Sequence, residues 1–350
     1  MRTILSLLLL ATVLLPTSTA SADSKRVVKV FVLAGQSNMV GQAKNTLLEH
    51  QAVDPKTKKL FAHLRTKDGW AERDDVFIKF FERHGPLTIG YGGRNKTGLE
   101  LEFGTVMGEH FKGPVLLIKV AWGGRSIVRD FRSPSAGMPS KEALAEELTK
   151  AQTRVERENK KHGRNKPLPT MDDIVGAYGK DYRAMIAEVQ STLKNAGTLF
   201  PALKRKKLEL AGFVWFQGWN DQYGGQDTYQ ANLEHLIRDV RKDLGVKDLP
   251  VVIGVMGQNG SKPAKGAMAT IQQAQLAMEK VKDFKGNVRS VRTDELVDRD
   301  AEALFPRWKQ EREAWERTGS DRPYHYLGSA IWFGRIGRAF AEAMLAMRAK

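Results

Sequence analysis

The sequence predicts a doubly wound α/β domain, in which a largely parallel sheet is covered by helices on both faces. Two observations predict it. Near-continuous apolar runs at 27–34, 114–121, 208–216 and 250–256, with a weaker one at 288–293, read as strands buried on both sides. Helical stretches fall between them at 104–110, 182–196, 228–244 and 268–281, and a last one at 329–347 closes the chain. Strands and helices alternating in this order give parallel strands joined by crossover helices, and hence three layers.

The chain opens with Arg2, an apolar run over 4–16 and then Ala20-Ser21-Ala22. One positive charge, a short apolar core and small residues at the end form a secretory signal peptide, with cleavage expected after Ala22. The run is too short for a confident membrane span, so an uncleaved anchor is the lesser reading. The mature chain is therefore expected to be exported, periplasmic or extracellular, with no stable membrane insertion. The sequence contains no cysteine. That removes disulfide staples, a thiol nucleophile and cysteine-ligated zinc, and leaves stability to packing. The roughly 330 residues that follow the signal are enough for one large core.

The first strand runs into Gly35-Gln36-Ser37-Asn38-Met39. A glycine lets the chain turn sharply off the strand end and leaves the Ser37 hydroxyl at the carboxyl edge of the sheet, where a nucleophile belongs. An ordinary polar turn is the competing reading. Residues 42–100 carry no clear strand–helix repeat and read as a loop-rich excursion. Within them the stretch from Gly92 to Gly98 lacks the phosphate-loop spacing and reads as a flexible loop. The second strand leads into Ala121-Trp122-Gly123-Gly124-Arg125-Ser126, whose paired glycines let backbone N–H groups approach a ligand. Residues 133–180 hold a highly charged helical stretch between proline-containing segments, and read as a surface insertion rather than a second domain. The third strand leads into Gln217-Gly218-Trp219-Asn220-Asp221, and Asp321-Arg322-Pro323-Tyr324-His325 precedes the final helix, whose Ile331, Ile336, Phe340, Met344 and Met347 form an apolar stripe.

These segments all fall at element ends, where α/β sheets place ligands. Together they offer the parts of a serine esterase: Ser37 to attack, His325 to take its proton, and a carboxylate to orient the imidazole. Oxyanion donors are available from the Ser37 N–H, the N–H of Gly123 or Gly124, and the side-chain amide of Asn220 or Gln217. Gln36, Gln217, Trp219 and Arg125 are candidate substrate contacts. Trp122 and Trp215 are weaker stacking platforms than Trp219, and Arg125 has the alternative of pairing with Asp130 or Glu109. His50, His63, His84, His110, His162 and His235 show no metal-ligand spacing, so neither metal nor cofactor is expected.

The blocks Gly35-Gln36-Ser37-Asn38-Met39, Trp122-Gly123-Gly124 and Gln217-Gly218-Trp219-Asn220-Asp221, followed by the late His325, resemble those of the SGNH hydrolases. They are most similar to the sialate O-acetylesterase-like and carbohydrate esterase family 6 branch, and they occur in order from residue 27 to the last helix. The resemblance implies a flavodoxin-like three-layer α/β/α fold and removal of O-acetyl groups from carbohydrates. It implies Ser37 as nucleophile, Gly123 (or Gly124) and Asn220 as oxyanion donors, and His325 as base. One departure stands out: the superfamily places its aspartate three residues before the histidine, and position 322 is arginine. Asp321 is the first candidate for the acid, with Asp294 and Asp298, or a carbonyl or water, as alternatives.

The net charge of +16 reads as a solvated basic surface, with an acidic glycan as the second candidate partner beside the acetylated carbohydrate. The basic residues are scattered and form no aromatic-interleaved module, so nucleic acid is not an expected partner. Two other functions compete: a non-catalytic glycan-binding protein of the same fold, favoured only by the displaced aspartate, and a general short-chain esterase.

Overall fold

A computed structural model describes residues 27–348. The expected signal peptide lies outside the described residues. Strand β1 (Val27–Gly35) is at the centre of a seven-stranded sheet completed by β2 (Val76–Phe80), β3 (Arg83–Pro86), β4 (Val115–Ala121), β5 (Lys207–Phe216), β6 (Val251–Val255) and β7 (Val288–Arg292). The order across the sheet is β7-β6-β5-β1-β4-β2-β3. Every pairing is parallel except that of β2 with β3.

The β2–β3 hairpin adds strands to the stretch 42–100, which the sequence reads as a loop-rich excursion. Residues 76–80 form a five-residue apolar run broken by Lys79, and Arg83–Pro86 is an edge strand with neither apolar alternation nor burial. Periodicity sees neither, because β2 takes its place from pairing with β4 and β3 only from the turn joining it to β2.

The main helices are α1 (Glu100–His110), α2 (Lys141–His162), α3 (Lys180–Leu199), α4 (Tyr229–Asp243), α5 (Gly266–Ala277) and α6 (Ala330–Arg348). On one face Phe31 and Leu33 of β1 pack with Phe103 and Met107 of α1 and Phe333, Ile336 and Phe340 of α6. On the other, Val28, Val30, Val32 and Ala34 pack with Val189 of α3, Leu236 of α4 and Ile271 of α5. Both sides of β1 are buried, which is why its sequence is apolar without alternation. Helix α2 lies on the surface, where Leu144 and Ala151 share a small cluster with Ile174. Among the described residues no helix is long and apolar enough to cross a membrane.

The register places the site. Gly35 at the end of β1 is level with Ala121 at the end of β4 and Phe216 at the end of β5. The chain builds the sheet on one side of β1 and then crosses to the other, so the loops after these three strands open at the switch point.

Candidate active site

Ser37 begins the helical turn Ser37–Val40, one residue beyond Gly35 with Gln36 between. Gly35 has φ of 155°, and a Cβ there would overlap the Phe216 carbonyl, so only glycine lets β1 end this close to β5. Ser37 is 8% exposed, and its N–H lies at the first position of the turn, where no intrahelical acceptor exists. Its carbonyl accepts from Gly41 N–H at 3.1 Å and from Gln42 Nε2 at 3.0 Å.

The end of the turn is held from inside the sheet. Lys119 of β4 is fully buried, and its Nζ donates to Val40 C=O (2.8 Å), Tyr91 C=O (2.8 Å) and Glu100 Oε2 (2.7 Å). Burial pulls this ammonium below the usual lysine range while the Glu100 carboxylate opposes that shift. Glu100 in turn accepts from Gly98 N–H at 2.8 Å.

The second loop runs beside the serine: Trp122 N–H donates to Gly35 C=O at 3.3 Å, and a Cβ on Gly123 would lie 4.0 Å from Ser37 Cβ. The third loop presents Asn220 in one orientation only. Gly218 N–H donates to Gln36 Oε1 at 3.1 Å, which turns Gln36 Nε2 toward Asn220 Oδ1 at 3.0 Å. Asn220 must offer its oxygen to Gln36, so its Nδ2 points elsewhere.

Asp221 ties the second and third loops together, a role the sequence reading did not give it. Its carboxylate accepts from Ile127 N–H at 3.0 Å, Val128 N–H at 3.1 Å and Gln217 Nε2 at 2.5 Å. Burial pushes Asp221 up to about 6, against the pull of those hydrogen bonds, and the charge of Asp130 adds to the rise.

His325 lies in the 3-10 segment Pro323–Gly328, which kinks through left-handed Tyr326 and Leu327. Its Nδ1 lies 3.2 Å from Asp321 Oδ2, a contact short of ideal hydrogen-bond alignment, as resting catalytic pairs often are. Burial alone would raise the Asp321 carboxyl. The His325 imidazole, the Arg322 N–H and the Lys96 ammonium outweigh it and lower the group to about 2. Asp294 is paired with Arg292 at 2.6 Å, and Asp298 accepts from Ser329 Oγ at 2.5 Å, so both alternative carboxylates are engaged elsewhere. The turn in which His325 N–H donates to Arg322 C=O at 2.9 Å brings the imidazole back to Asp321 despite the extra residue between them. Asn38 Nδ2 donates to Tyr324 C=O at 3.0 Å, bridging the residue after Ser37 to the residue before His325.

Tyr324, half exposed, stands edge-on to His325 at 4.6 Å and lies 6.1 Å from the Trp219 ring, so it links the histidine to the third loop. Sequence reasoning singled out Trp219 and missed Tyr324, for which an aromatic next to the candidate base was the available signal. Gln36 and Gln217, expected among the substrate contacts, lie buried beneath the loops and bind Asn220, Gly218, Asp221 and Arg125 C=O. They support the site from behind because their amides are needed to orient loop groups. Arg125 turns to Asp181 at 2.9 Å, with Asp130 at 3.8 Å, and not to Glu109. Trp215 is fully buried, and Trp122 packs between Phe81 and Phe131.

A hydroxyl, an imidazole beside a carboxylate, and amide groups on the neighbouring loops are the equipment of acyl transfer. Comparison with curated proteins gives no match. Among solved structures the chain is similar to a protein of Arabidopsis thaliana (15% identity, TM-score 0.49, covering 91% of this chain and 97% of that one). It is also similar to a carbohydrate acetylesterase of Xanthomonas citri (13% identity, TM-score 0.43), covering 77% of this chain and about half, 51%, of that one. The family profile described as carbohydrate esterase, sialic acid-specific acetylesterase matches residues 27–163 and 169–305, most of the described chain. The chain belongs to this family of carbohydrate esterases, and is a carboxylic ester hydrolase acting on an acetylated carbohydrate.

Proposed function

We propose that the protein is exported and removes O-acetyl groups from a carbohydrate through an acetyl-serine intermediate. The observation that carries the mechanism is the Asp321–His325 pair, bridged to the Ser37 turn by the Asn38–Tyr324 hydrogen bond. Since Nδ1 faces Asp321, the imidazole offers Nε2 to Ser37 Oγ and takes its proton as the oxygen attacks the ester carbonyl. The Ser37 N–H, the Gly123 N–H and Asn220 Nδ2 receive the oxyanion. The C–O bond to the sugar breaks, the alcohol leaves with the proton from Nε2, and water, deprotonated by the same nitrogen, releases acetate. Trp219 and Tyr324 supply flat apolar surface for a sugar ring.

A basic cavity of about 610 Å³ beside Asp321 supports an acidic glycan as the substrate. Its anions are engaged, Glu316 with Arg312 at 2.9 Å and Asp321 with His325 and Lys96. Its cations are in excess: the Arg322 guanidinium lies 4.2 Å over the Trp308 ring, and Lys44 also lines the wall.

The test is acetate release by the purified protein, beside Ser37→Ala, from an acetylated aryl ester and from neutral and uronate-bearing acetylated oligosaccharides. Release that vanishes with Ser37→Ala and is faster on the uronate-bearing substrate at low salt supports the reading. Release on every short acyl ester, with no gain from a sugar, favours a general esterase. Folded protein that binds glycan and releases nothing favours a binding role.

A further inference from the structure

A chain of side chains runs between the nucleophile turn and the base loop that the mechanism above does not use. Ser37 C=O accepts from Gln42 Nε2 at 3.0 Å, and Gln42 Oε1 accepts from Lys96 Nζ at 2.6 Å. The same ammonium reaches Asp321 Oδ2 at 3.3 Å, and this is the oxygen that faces His325 Nδ1 at 3.2 Å. Gln42 has no freedom to flip within this chain. A carbonyl demands its NH₂ group, and an ammonium demands its oxygen.

Lys96 comes from the glycine-rich segment after β3, and the backbone there is fixed. The pair Lys96–Thr97 forms a short antiparallel ladder with Ala43–Lys44, just beyond the nucleophile turn. Gly93 N–H donates to Gly41 C=O at 3.0 Å, and Gly92 N–H to Lys96 C=O at 2.8 Å. A Cβ on Gly92 would lie 2.6 Å from the Lys96 carbonyl group, so the loop closes on Lys96 only because residue 92 is glycine. The stretch expected to be a flexible loop is thus the mount for a cation at the candidate acid.

We propose that Lys96 is a positioning residue for ester hydrolysis: bound to Gln42 and Asp321 together, it joins the nucleophile turn to the acid–base loop and keeps Asp321 aimed at His325. This rests on the esterase reading of the site. Asp321 Oδ1 accepts from Arg322 N–H at 2.8 Å, so with Lys96 on Oδ2 the carboxylate is held at both oxygens. The Lys96 and Asp321 side chains are 23% and 19% exposed, which leaves their interaction partly screened yet stronger than at an open surface. The charged groups gathered at the imidazole are Asp321 on its own loop and, through Asp321, Lys96 from the glycine-rich segment, while the Arg322 guanidinium lies over the Trp308 ring. The nucleophile turn presents only the neutral Ser37, Asn38 and Gln42, and Trp219 and Tyr324 are uncharged. Removing the Lys96 charge therefore makes protonation of the Asp321–His325 pair easier.

The experiment compares kcat/KM against pH for wild type, Lys96→Met and Lys96→Arg on an acetylated aryl ester. It also follows the His325 imidazole by proton NMR titration, with the signal identified by its loss in His325→Gln. Lys96→Met is expected to lower kcat about tenfold with little change in KM, and to move the acid limb and the imidazole midpoint up by about half to one pH unit. Lys96→Arg, which keeps the charge, is expected to restore the limb. Lys96→Gln takes the place of Lys96→Met if thermal melting shows the latter misfolded. A neutral variant with the wild-type acid limb and imidazole midpoint overturns the proposal. Hydrolysis surviving Ser37→Ala would instead overturn the acetyl-serine mechanism, and the NMR titration would still decide whether Lys96 acts on His325.

Discussion

Asn220 presents a free amide because a backbone N–H two residues before it dictates how Gln36, and then Asn220, must face. An oxyanion donor acts on the transition state more than on bound substrate, and one such donor contributes roughly 3 kcal/mol. Asn220→Ala should lower kcat about 100-fold with KM nearly unchanged, as steady-state kinetics would show; an unchanged kcat would remove Asn220 from the mechanism. Asp321, held at about 2, is ionised wherever the imidazole can act as a base, so the acid limb of the rate should follow a single group. Asp321→Asn should cost about 10³- to 10⁴-fold in kcat by leaving the imidazole without its anionic partner. At this scale the sequence was legible where a residue directly follows a strand: Ser37, Gly123 and Asn220 could each be placed from an apolar run and a glycine. Lys96, Gln42 and Asp221 could not, because their positions come from tertiary meetings between segments that share no local pattern.

At the scale of elements, the site depends on β1, β4 and β5 ending level with one another. Gly35 is where that alignment is most exposed to substitution. Gly35→Ala would drive a methyl into the Phe216 carbonyl at a φ that disfavours side chains, and should lower stability by about 3 kcal/mol or prevent folding. Denaturant unfolding checks this, and a variant as stable as wild type would show that β1 and β5 can separate. The parallel strands and their covering helices were readable because strands buried on both faces carry long apolar runs. The β2–β3 hairpin was not, since an edge strand such as Arg83–Pro86 need bury nothing. Helix α1 begins at Glu100, four residues before its apolar pattern suggests, because Glu100 faces the buried Lys119 and not solvent.

At the scale of the whole molecule, two carboxylates give stability opposite dependences on pH. Asp221 titrates near 6 when folded, above its ordinary value, so stability falls as pH rises from about 4 through 6, by roughly 3 kcal/mol in all. Asp321 is shifted down, so its contribution is present above about 4 and is lost as pH falls toward 2. Asp221→Asn should remove the decline between about pH 4 and 6, so the difference in Tm between wild type and variant should change across that interval. A constant difference would place the Asp221 titration elsewhere. Composition gave the size of the domain and the absence of cysteine, whereas the gathering of Lys44, Arg312 and Arg322 around one cavity belongs to the folded chain alone.

The buried Lys119–Glu100 pair has a consequence for how the enzyme fails. Lifting the Val40 end of the nucleophile turn would strip an acceptor from an ammonium that water cannot reach, so this turn should not fray by itself. It should belong to the last cooperative unit to open, with amides among the slowest to exchange hydrogen. Inactivation by heat or denaturant would then coincide with global unfolding, and a catalytic centre built on loops would keep the lifetime of the core.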